Sequence, residues 1–100
     1  MSPLIPRGTP MTGTLIVRHP VTDFAAWRVV YAEVGALRDQ HGCTAERVLV
    51  LPSDHNDVVA IHEFPTVEQA EAFANDPALK DAMGRAGVAG APRIEIFASA

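Results

Sequence analysis

Cysteine is almost absent from this sequence, with Cys43 the single example in 100 residues. One cysteine excludes an intramolecular disulfide and is typical of proteins that work in the reducing cytoplasm, the compartment that we expect. No apolar run approaches the roughly 20 residues that are needed to cross a bilayer. The N-terminal segment also lacks the uninterrupted hydrophobic stretch of a secretory signal, so we expect no contact with a membrane.

Basic residues are few as well, since eight Lys and Arg stand against twelve Asp and Glu, for a net charge of −4. They are scattered along the chain, and aromatic residues make up only 6% of it. A nucleic-acid-binding surface needs a basic stripe, often interleaved with aromatic side chains, and neither is present. We therefore expect no nucleic-acid partner.

Motifs for metals and cofactors are also missing. There is no glycine-rich phosphate loop ahead of a helix, and no two histidines stand two or four residues apart, as metal ligands often do. We therefore predict no metal ion and no cofactor. The four histidines are His19, His41, His55 and His62.

The periodicity of the apolar residues, in contrast, is clear. Alternation with period two predicts four strands, and spacing of three and four residues predicts two helical regions. Their order, βαββαβ, predicts an α+β, ferredoxin-like fold with an antiparallel four-stranded sheet. The second helical region should be interrupted where Asp76 can cap a helix that Pro77 begins. The predicted strands are Thr14–His19, Arg47–Leu51, Val58–Phe64 and Arg93–Phe97, and the helical regions are Asp23–Gln40 and Val67–Ala86.

The domain organisation follows from this pattern. Residues 1–13 hold several prolines and glycines and no periodicity, so they are interpreted as a flexible arm. This arm is either vector-derived in part or lies upstream of an internal start at Met11. Residues 14–100 form the single domain. Its strands are apolar on both faces, although two helices can cover only one, so we expect a second copy of the chain to cover the other.

Two histidines are the first candidates for a polar site. We expect the first and third strands to be central, adjacent and parallel, which would place His19 and His62 near each other at one edge of the sheet. Such edges often border ligand cavities. His62 would then be a polar anchor or a base, because its ordinary pKa is near neutrality. The alternative is a pair of structural histidines at the rim of the sheet.

Aromatic side chains give a second candidate. Trp27 and Tyr31 lie one turn apart on the first helix, and with Phe73 and Met83 they could form either plain core or the wall of a cavity. Side chains alternate between the two faces of a strand, and the sequence leaves open whether His62 or its neighbour Glu63 faces this wall. We favour His62, because a neutral imidazole is less costly to bury than a carboxylate. The substrate-binding candidates are thus Trp27, Tyr31, His62, Phe73 and Met83, with His62 also the candidate catalytic residue.

A third group consists of charged residues on neighbouring strands. Arg18, Arg47 and Glu63 are expected to lie near one another, either as ion pairs at the rim of a dimer interface or as a site for a carboxylate or phenolate. Arg38 lies off the apolar stripe of the first helix, on the side expected to meet solvent.

The order of several short motifs resembles small bacterial proteins of the dimeric α/β-barrel superfamily. These motifs include Asp23-Phe24-x-x-Trp27, His62-Glu63-Phe64, Ala70-x-x-Phe73-Ala74 and Asp76-Pro77-x-Leu79-Lys80. The similar members are those named antibiotic biosynthesis monooxygenase-like or cyclase-like. The resemblance implies a homodimer with a ferredoxin-like fold, and a superfamily with many activities.

Three functions are compatible with these observations. The first is a cofactor-independent monooxygenase or cyclase that acts on an aromatic, polyketide-like small molecule, for which the protein supplies an apolar pocket and one or two polar groups. The second is a non-catalytic protein that binds such a molecule in the same cavity. The third is a dimeric accessory protein without a ligand.

Overall fold

The computed structural model of the protein describes residues 12–100. Four strands form one sheet, and four helices cover one of its faces. The predicted arm falls largely on residues 1–11, outside the described residues. In chain order the elements are β1 (Gly13–Pro20), α1 (Phe24–Glu33), α2 (Gly35–Gln40), β2 (Ala45–Leu51), β3 (Asp54–Phe64), α3 (Val67–Ala74), α4 (Pro77–Arg85) and β4 (Arg93–Ala98).

The strands lie in the order β2-β3-β1-β4, and every neighbouring pair is antiparallel. This confirms the predicted ferredoxin-like α+β fold. The expectation that β1 and β3 are parallel is wrong. The helical crossover makes β2 run in the direction of β1, and the tight hairpin after Leu51 then reverses the chain, so β3 must oppose β1.

The first helical region is not the single helix that its periodicity suggests. It divides at Val34, whose backbone leaves helical geometry at ψ 13°. Beyond the division, the guanidinium of Arg38 donates a hydrogen bond of 2.8 Å to the main-chain carbonyl of Tyr31. A side chain thus satisfies a carbonyl near the end of α1, where helices leave such groups without helical partners.

The second helical region divides where it was predicted to. The side chain of Asp76 accepts a hydrogen bond from the backbone N–H of Ala78, and Pro77 is the first residue of α4. Thr66 caps α3 by accepting a hydrogen bond from the N–H of Gln69. The Gln69 side chain in turn accepts a hydrogen bond from the Thr66 hydroxyl.

The core lies between the sheet and the helices. Alternate residues of β1 and β3 point into it, for example Leu15 on β1 and Phe64 on β3. Near the start of β1, a Cβ on Gly13 would lie 2.8 Å from the carbonyl oxygen of Thr66. Only glycine therefore lets α3 approach the sheet this closely. The strand β1 begins at Gly13, one residue before the predicted start.

The opposite face of the sheet, here called the outer face, carries no helix in the part of the chain that the structure describes. Register places Ile16, Val59 and Ile61 at its centre. Leu49 and Phe97 lie towards its two edges with 40% and 51% of their surfaces exposed. The outer face is therefore apolar at its centre, as predicted, and it also carries charged residues such as Arg18, Arg47 and Glu63.

Candidate functional site

A small cavity lies between α1, α4 and the helix-facing side of the sheet, with room of about 40 Å³. All five predicted binding residues line it, and they come from four different elements. This is enough room for an ordered water molecule, and it is much less than the several hundred Å³ of a typical small-molecule pocket. The five residues are Trp27, Tyr31, His62, Phe73 and Met83.

The aromatic rings of the cavity form a continuous series. Trp27 stacks on Tyr31 with 4.8 Å between ring centroids, and Tyr31 lies nearly parallel to His62 at 5.8 Å. Phe73 meets the His62 ring edge-on at 5.5 Å. Helical spacing brings Trp27 and Tyr31 onto one face of α1, whereas only the tertiary fold brings the other two rings to them.

The structure also decides which residue of β3 faces these rings. His62 lies on the same side as the buried Val58, Ala60 and Phe64, and only 4% of its surface is exposed. Glu63 points to the outer face, where it accepts a hydrogen bond of 2.7 Å from the hydroxyl of Thr14. The preference for His62 over Glu63 is therefore correct.

The hydroxyl of Tyr31 joins His62 to a polar network. It lies 2.8 Å from His62 Nε2 and 2.9 Å from a carboxylate oxygen of Glu46. The same Glu46 oxygen is 2.6 Å from Nε of Arg38, whose guanidinium also covers the Tyr31 ring at 4.0 Å from its centroid. Four side chains from α1, α2, β2 and β3 thus form one connected group, here called the Tyr31 network.

Sequence reasoning missed two members of the Tyr31 network. Arg38 was expected to face solvent, but only 6% of its surface is exposed. The available signal was its spacing of seven residues from Tyr31, which places both on one face of a helical segment. Glu46 gave no such signal, because its contact with Tyr31 depends on how β2 lies beside the helices.

Burial sets the protonation states within this group. Burial, and next to it the positive charge of Arg38, lowers the pKa of His62 to about 4, although Glu46 opposes the shift. The imidazole is therefore neutral at pH 7. Burial also raises the pKa of Tyr31 well above its ordinary value, so its hydroxyl keeps its proton.

His19 lies at another part of the same cavity, beside Trp27 at 5.7 Å between ring centroids. It is 97% buried, and burial lowers its pKa. The expectation that His19 and His62 meet at one edge is wrong. Because β1 and β3 are antiparallel, His19 is opposite Val58, four residues from His62 along β3 and separated from it by roughly 13 Å.

Three imidazole nitrogens at the cavity are buried without a hydrogen-bond partner among residues 12–100. They are Nδ1 of His62 and both ring nitrogens of His19. A buried polar atom without a partner costs about 1–3 kcal/mol, so such atoms usually meet a water molecule or a ligand. The cavity therefore has an apolar aromatic wall and a small number of unsatisfied polar atoms.

The third predicted group does not assemble. Arg18 pairs with Asp57 through two hydrogen bonds, of 2.8 Å and 3.0 Å. Glu63 is bonded to Thr14, and Arg47 lies across from Ile61 with no ion pair among the described residues. The three residues share the outer face, but Arg18 and Glu63 form their hydrogen bonds with Asp57 and Thr14 instead of with one another.

Three further observations concern the described part of the chain. Between residues 12 and 100, no group of three or more His, Cys, Asp or Glu side chains is arranged to hold a metal ion. Burial raises the pKa of the Cys43 thiol, which makes it a poorer nucleophile. Over the same residues, no helix is both long and apolar enough to cross a membrane.

The fold and the cavity together define a ferredoxin-like α+β protein with a small cavity, of about the size of a water molecule, between helices and sheet. No family model matches this sequence, and no curated protein matches it. Solved structures do share the fold. SnoaB from Streptomyces nogalater, a cofactor-independent oxygenase, is 16% identical over 90% of this chain and 94% of its own, with a TM-score of 0.74.

Two more structures give the same result. A proposed antibiotic biosynthesis monooxygenase from Bordetella bronchiseptica is 12% identical, with 90% of this chain and 98% of that chain covered and a TM-score of 0.75. The NE2512 protein of unknown function from Nitrosomonas europaea is 21% identical over 92% of each chain, with a TM-score of 0.70. The chain thus has the fold of antibiotic biosynthesis monooxygenase structures, which confirms the resemblance seen in its sequence. At these identities the likeness establishes the fold alone.

Proposed function

We propose that the protein is a cofactor-independent monooxygenase that oxidises a small hydroxylated aromatic molecule in the cavity beside Trp27 and Tyr31. One observation carries the proposal: an apolar cavity with an aromatic wall contains a buried, neutral imidazole whose Nδ1 has no partner among residues 12–100. The flat apolar walls suit an aromatic ring, and the imidazole nitrogen suits a hydroxyl group.

The similar structures support the reaction type. SnoaB is named a cofactor-independent oxygenase, and the Bordetella bronchiseptica protein is named for monooxygenation as well. In such a reaction the electrons come from the substrate and the oxidant is dioxygen. The protein contributes position, exclusion of water and a place for a proton.

The reaction balances as SH₂ + O₂ → S=O + H₂O, where one hydrogen leaves the substrate hydroxyl and the other leaves the ring carbon that is oxidised. His62 Nδ1 accepts the hydroxyl proton, and the resulting phenolate, which shares its negative charge with that carbon, adds O₂ there to form a peroxide. The O–O bond then breaks as the carbon loses its hydrogen. One oxygen remains as the carbonyl, and the other leaves as water with the proton that His62 returns. A pKa of about 4 makes His62 a weak base, so the substrate must itself be acidic.

A substrate of one or more rings requires the cavity to widen. Met83 is flexible and only partly buried, and it belongs to α4, which lies over the cavity. Because α4 packs against α1 whereas α3 packs on three of the strands, displacement of α4 disturbs the sheet less than displacement of α3 would. We propose that the substrate displaces Met83 and α4 outward.

The experiment is an oxygen-uptake assay with anthrone, whose enol tautomer carries a hydroxyl group and one hydrogen on the opposite ring carbon, in the presence of a metal chelator and without added cofactor. We expect one O₂ consumed per quinone formed, at a rate above that of the uncatalysed reaction. His62→Ala should lower the rate at least tenfold, whereas His55→Ala, which alters an exposed histidine of the same strand, should not. Binding without O₂ uptake across a panel of one- to three-ring phenols would contradict the proposal.

The weak basicity of His62 favours a second candidate, a protein that binds a small hydroxylated molecule without converting it. A carrier needs only the aromatic wall and the imidazole acceptor, and its ligand must widen the cavity as well. The same assay separates the two functions, since a carrier would bind phenols and lose binding in His62→Ala, yet consume no O₂.

We further propose that the protein acts as a homodimer in which the outer faces of two sheets pack together. Leu49 and Phe97 are large apolar side chains left 40% and 51% exposed, on a face whose centre is also apolar. A soluble protein rarely leaves such a patch open. A second copy of the same face is the simplest cover, because a two-fold axis pairs like surfaces.

A further inference from the structure

The Tyr31 hydroxyl has one proton and two polar neighbours, so its hydrogen bonds have a direction. Its oxygen lies 2.9 Å from a Glu46 carboxylate oxygen and 2.8 Å from His62 Nε2. An ionised carboxylate can only accept a hydrogen bond, whereas a neutral imidazole nitrogen either donates or accepts. Tyr31 must therefore donate to Glu46, and it is then free to accept from His62.

Charge keeps Glu46 in the accepting state. Nε of Arg38 lies 2.6 Å from the same carboxylate oxygen, and Arg38 is almost completely buried beside it. A buried guanidinium requires an anionic partner, because an unpaired buried charge is costly. The Glu46 carboxylate thus forms an ion pair with Arg38 and can only accept a hydrogen bond, which sets the direction of the Tyr31 hydrogen bond.

We propose that Glu46, acting through Tyr31, fixes the proton of His62 on Nε2, so that Nδ1 presents a lone pair to the cavity and selects ligands that donate a hydrogen bond. Glu46 is then a positioning residue, since it lies outside the cavity lining and acts through Tyr31. The assignment of the tautomer depends only on the structure of the protein without a ligand. The class of ligand, a hydroxylated aromatic in preference to its methyl ether, rests on the proposed function.

The surroundings of the imidazole agree with this assignment. Its two ring neighbours are Tyr31, stacked on one face, and Phe73, meeting it edge-on. Phe73 has no polar hydrogen, and the Tyr31 hydroxyl is occupied at Nε2. Nδ1 has no other partner among residues 12–100, so its donor comes from the contents of the cavity. In the absence of a ligand the room of about 40 Å³ is enough for a water molecule to serve.

Imidazole nitrogen chemical shifts of ¹⁵N-labelled protein at pH 7 test the tautomer directly. In the unaltered protein we expect His62 to show a protonated Nε2 and an unprotonated Nδ1. In Glu46→Ala the Tyr31 hydroxyl loses its acceptor and turns to His62, so the proton should move to Nδ1. Glu46→Gln should restore the original tautomer, because an amide oxygen also accepts from Tyr31.

Tyr31→Phe is the matched control, since it removes the hydroxyl that connects Glu46 to His62 and leaves Glu46 in place. The preference for Nε2 should weaken in Tyr31→Phe, and adding Glu46→Ala should then change nothing further. A protonated Nδ1 in the unaltered protein would overturn the proposal even if every variant failed to fold. An unchanged tautomer in folded Glu46→Ala, or in folded Tyr31→Phe, would also overturn it.

Ligand selection is tested by the binding of phenol and anisole, which differ in one hydroxyl hydrogen and one methyl group. We expect phenol to bind about tenfold more tightly, which corresponds to about 1.4 kcal/mol. The preference should vanish in Glu46→Ala and return in Glu46→Gln. Equal binding of the two would overturn the ligand assignment. Normal selection without O₂ uptake would reject only the monooxygenase.

Discussion

The side chain of His62 shows how position gives one residue its chemistry. On an open strand this imidazole would titrate near pH 6.5, but among Tyr31, Phe73 and the sheet it is buried and its pKa falls to about 4. The same burial leaves Nδ1 without a partner among the described residues. A residue that is ordinary in sequence thereby becomes a neutral hydrogen-bond acceptor in an apolar cavity.

This burial predicts how stability depends on pH. The pKa of His62 is lower in the folded protein than in the unfolded chain, so between about pH 6.5 and pH 4 the unfolded chain binds more protons. The free energy of unfolding should therefore fall as the pH is lowered through this range. The full contribution of His62 is on the order of 3 kcal/mol, and burial of His19 acts in the same direction.

Urea unfolding at several pH values measures this dependence. His62→Gln can still donate to Tyr31 but does not titrate, so its stability should depend less steeply on pH in this range. His55→Gln is the control, because His55 is exposed and its loss should leave the slope unchanged. A slope in His62→Gln equal to that of the unaltered protein would show that His62 is not buried as a neutral group.

Among the elements, the break between α3 and α4 decides what covers the cavity. Asp76 follows the C-cap of α3, Asn75, and caps the N-terminus of α4, and it is also 2.8 Å from Nε2 of His41 at the end of α2. Hydrogen bonds from His41 and from the N–H of Ala78 lower the pKa of Asp76. One side chain thus ties the start of α4 to α2, while the rest of α4 lies over the cavity.

Two neighbouring substitutions distinguish the contribution of the helix cap to stability from the contribution of the proline. Asp76→Ala removes the cap and the contact with His41, so we expect it to lower the free energy of unfolding by about 1–2 kcal/mol. Pro77→Ala should cost under about 0.5 kcal/mol, because proline at the first helical position lacks an N–H that the helix does not use. Chemical unfolding measures both, and a Pro77→Ala cost equal to that of Asp76→Ala would contradict the assigned roles.

At the scale of the whole molecule, the sheet has one covered face and one apolar face open. The helices bury the side that carries His19 and His62, and the outer face keeps Leu49 and Phe97 accessible. Burying apolar surface contributes about 25 cal/mol per Å², so covering this face would add substantially to the stability of a small domain.

Sedimentation equilibrium tests the proposed homodimer. We expect the unaltered protein to sediment as a dimer at micromolar concentration, and the double variant Leu49→Lys, Phe97→Lys to sediment as a monomer. Val29→Lys is the matched control, since Val29 is 63% exposed on α1, away from the sheet. A stable monomer of the unaltered protein at this concentration would reject the homodimer.

The sequence by itself determined the order of the elements, the fold class and the break at Asp76-Pro77, because apolar periodicity and capping are local properties of the chain. It also indicated the aromatic pair on α1, since Trp27 and Tyr31 are one turn apart. Their association with Phe73 and Met83 was a hypothesis at that stage, and the structure places all four at one cavity.

Only the tertiary structure decided the polar part of the cavity. The direction of β3 separates His19 from His62, and that direction depends on how the crossover and the hairpin combine. The spacing of Arg38 from Tyr31 indicates a shared helix face but not its burial. The contact between Glu46 and Tyr31 joins residues from different elements, so no spacing along the chain encodes it. Hydrogen bonds of this kind require positions accurate to a few tenths of an ångström, and only the packed molecule sets them.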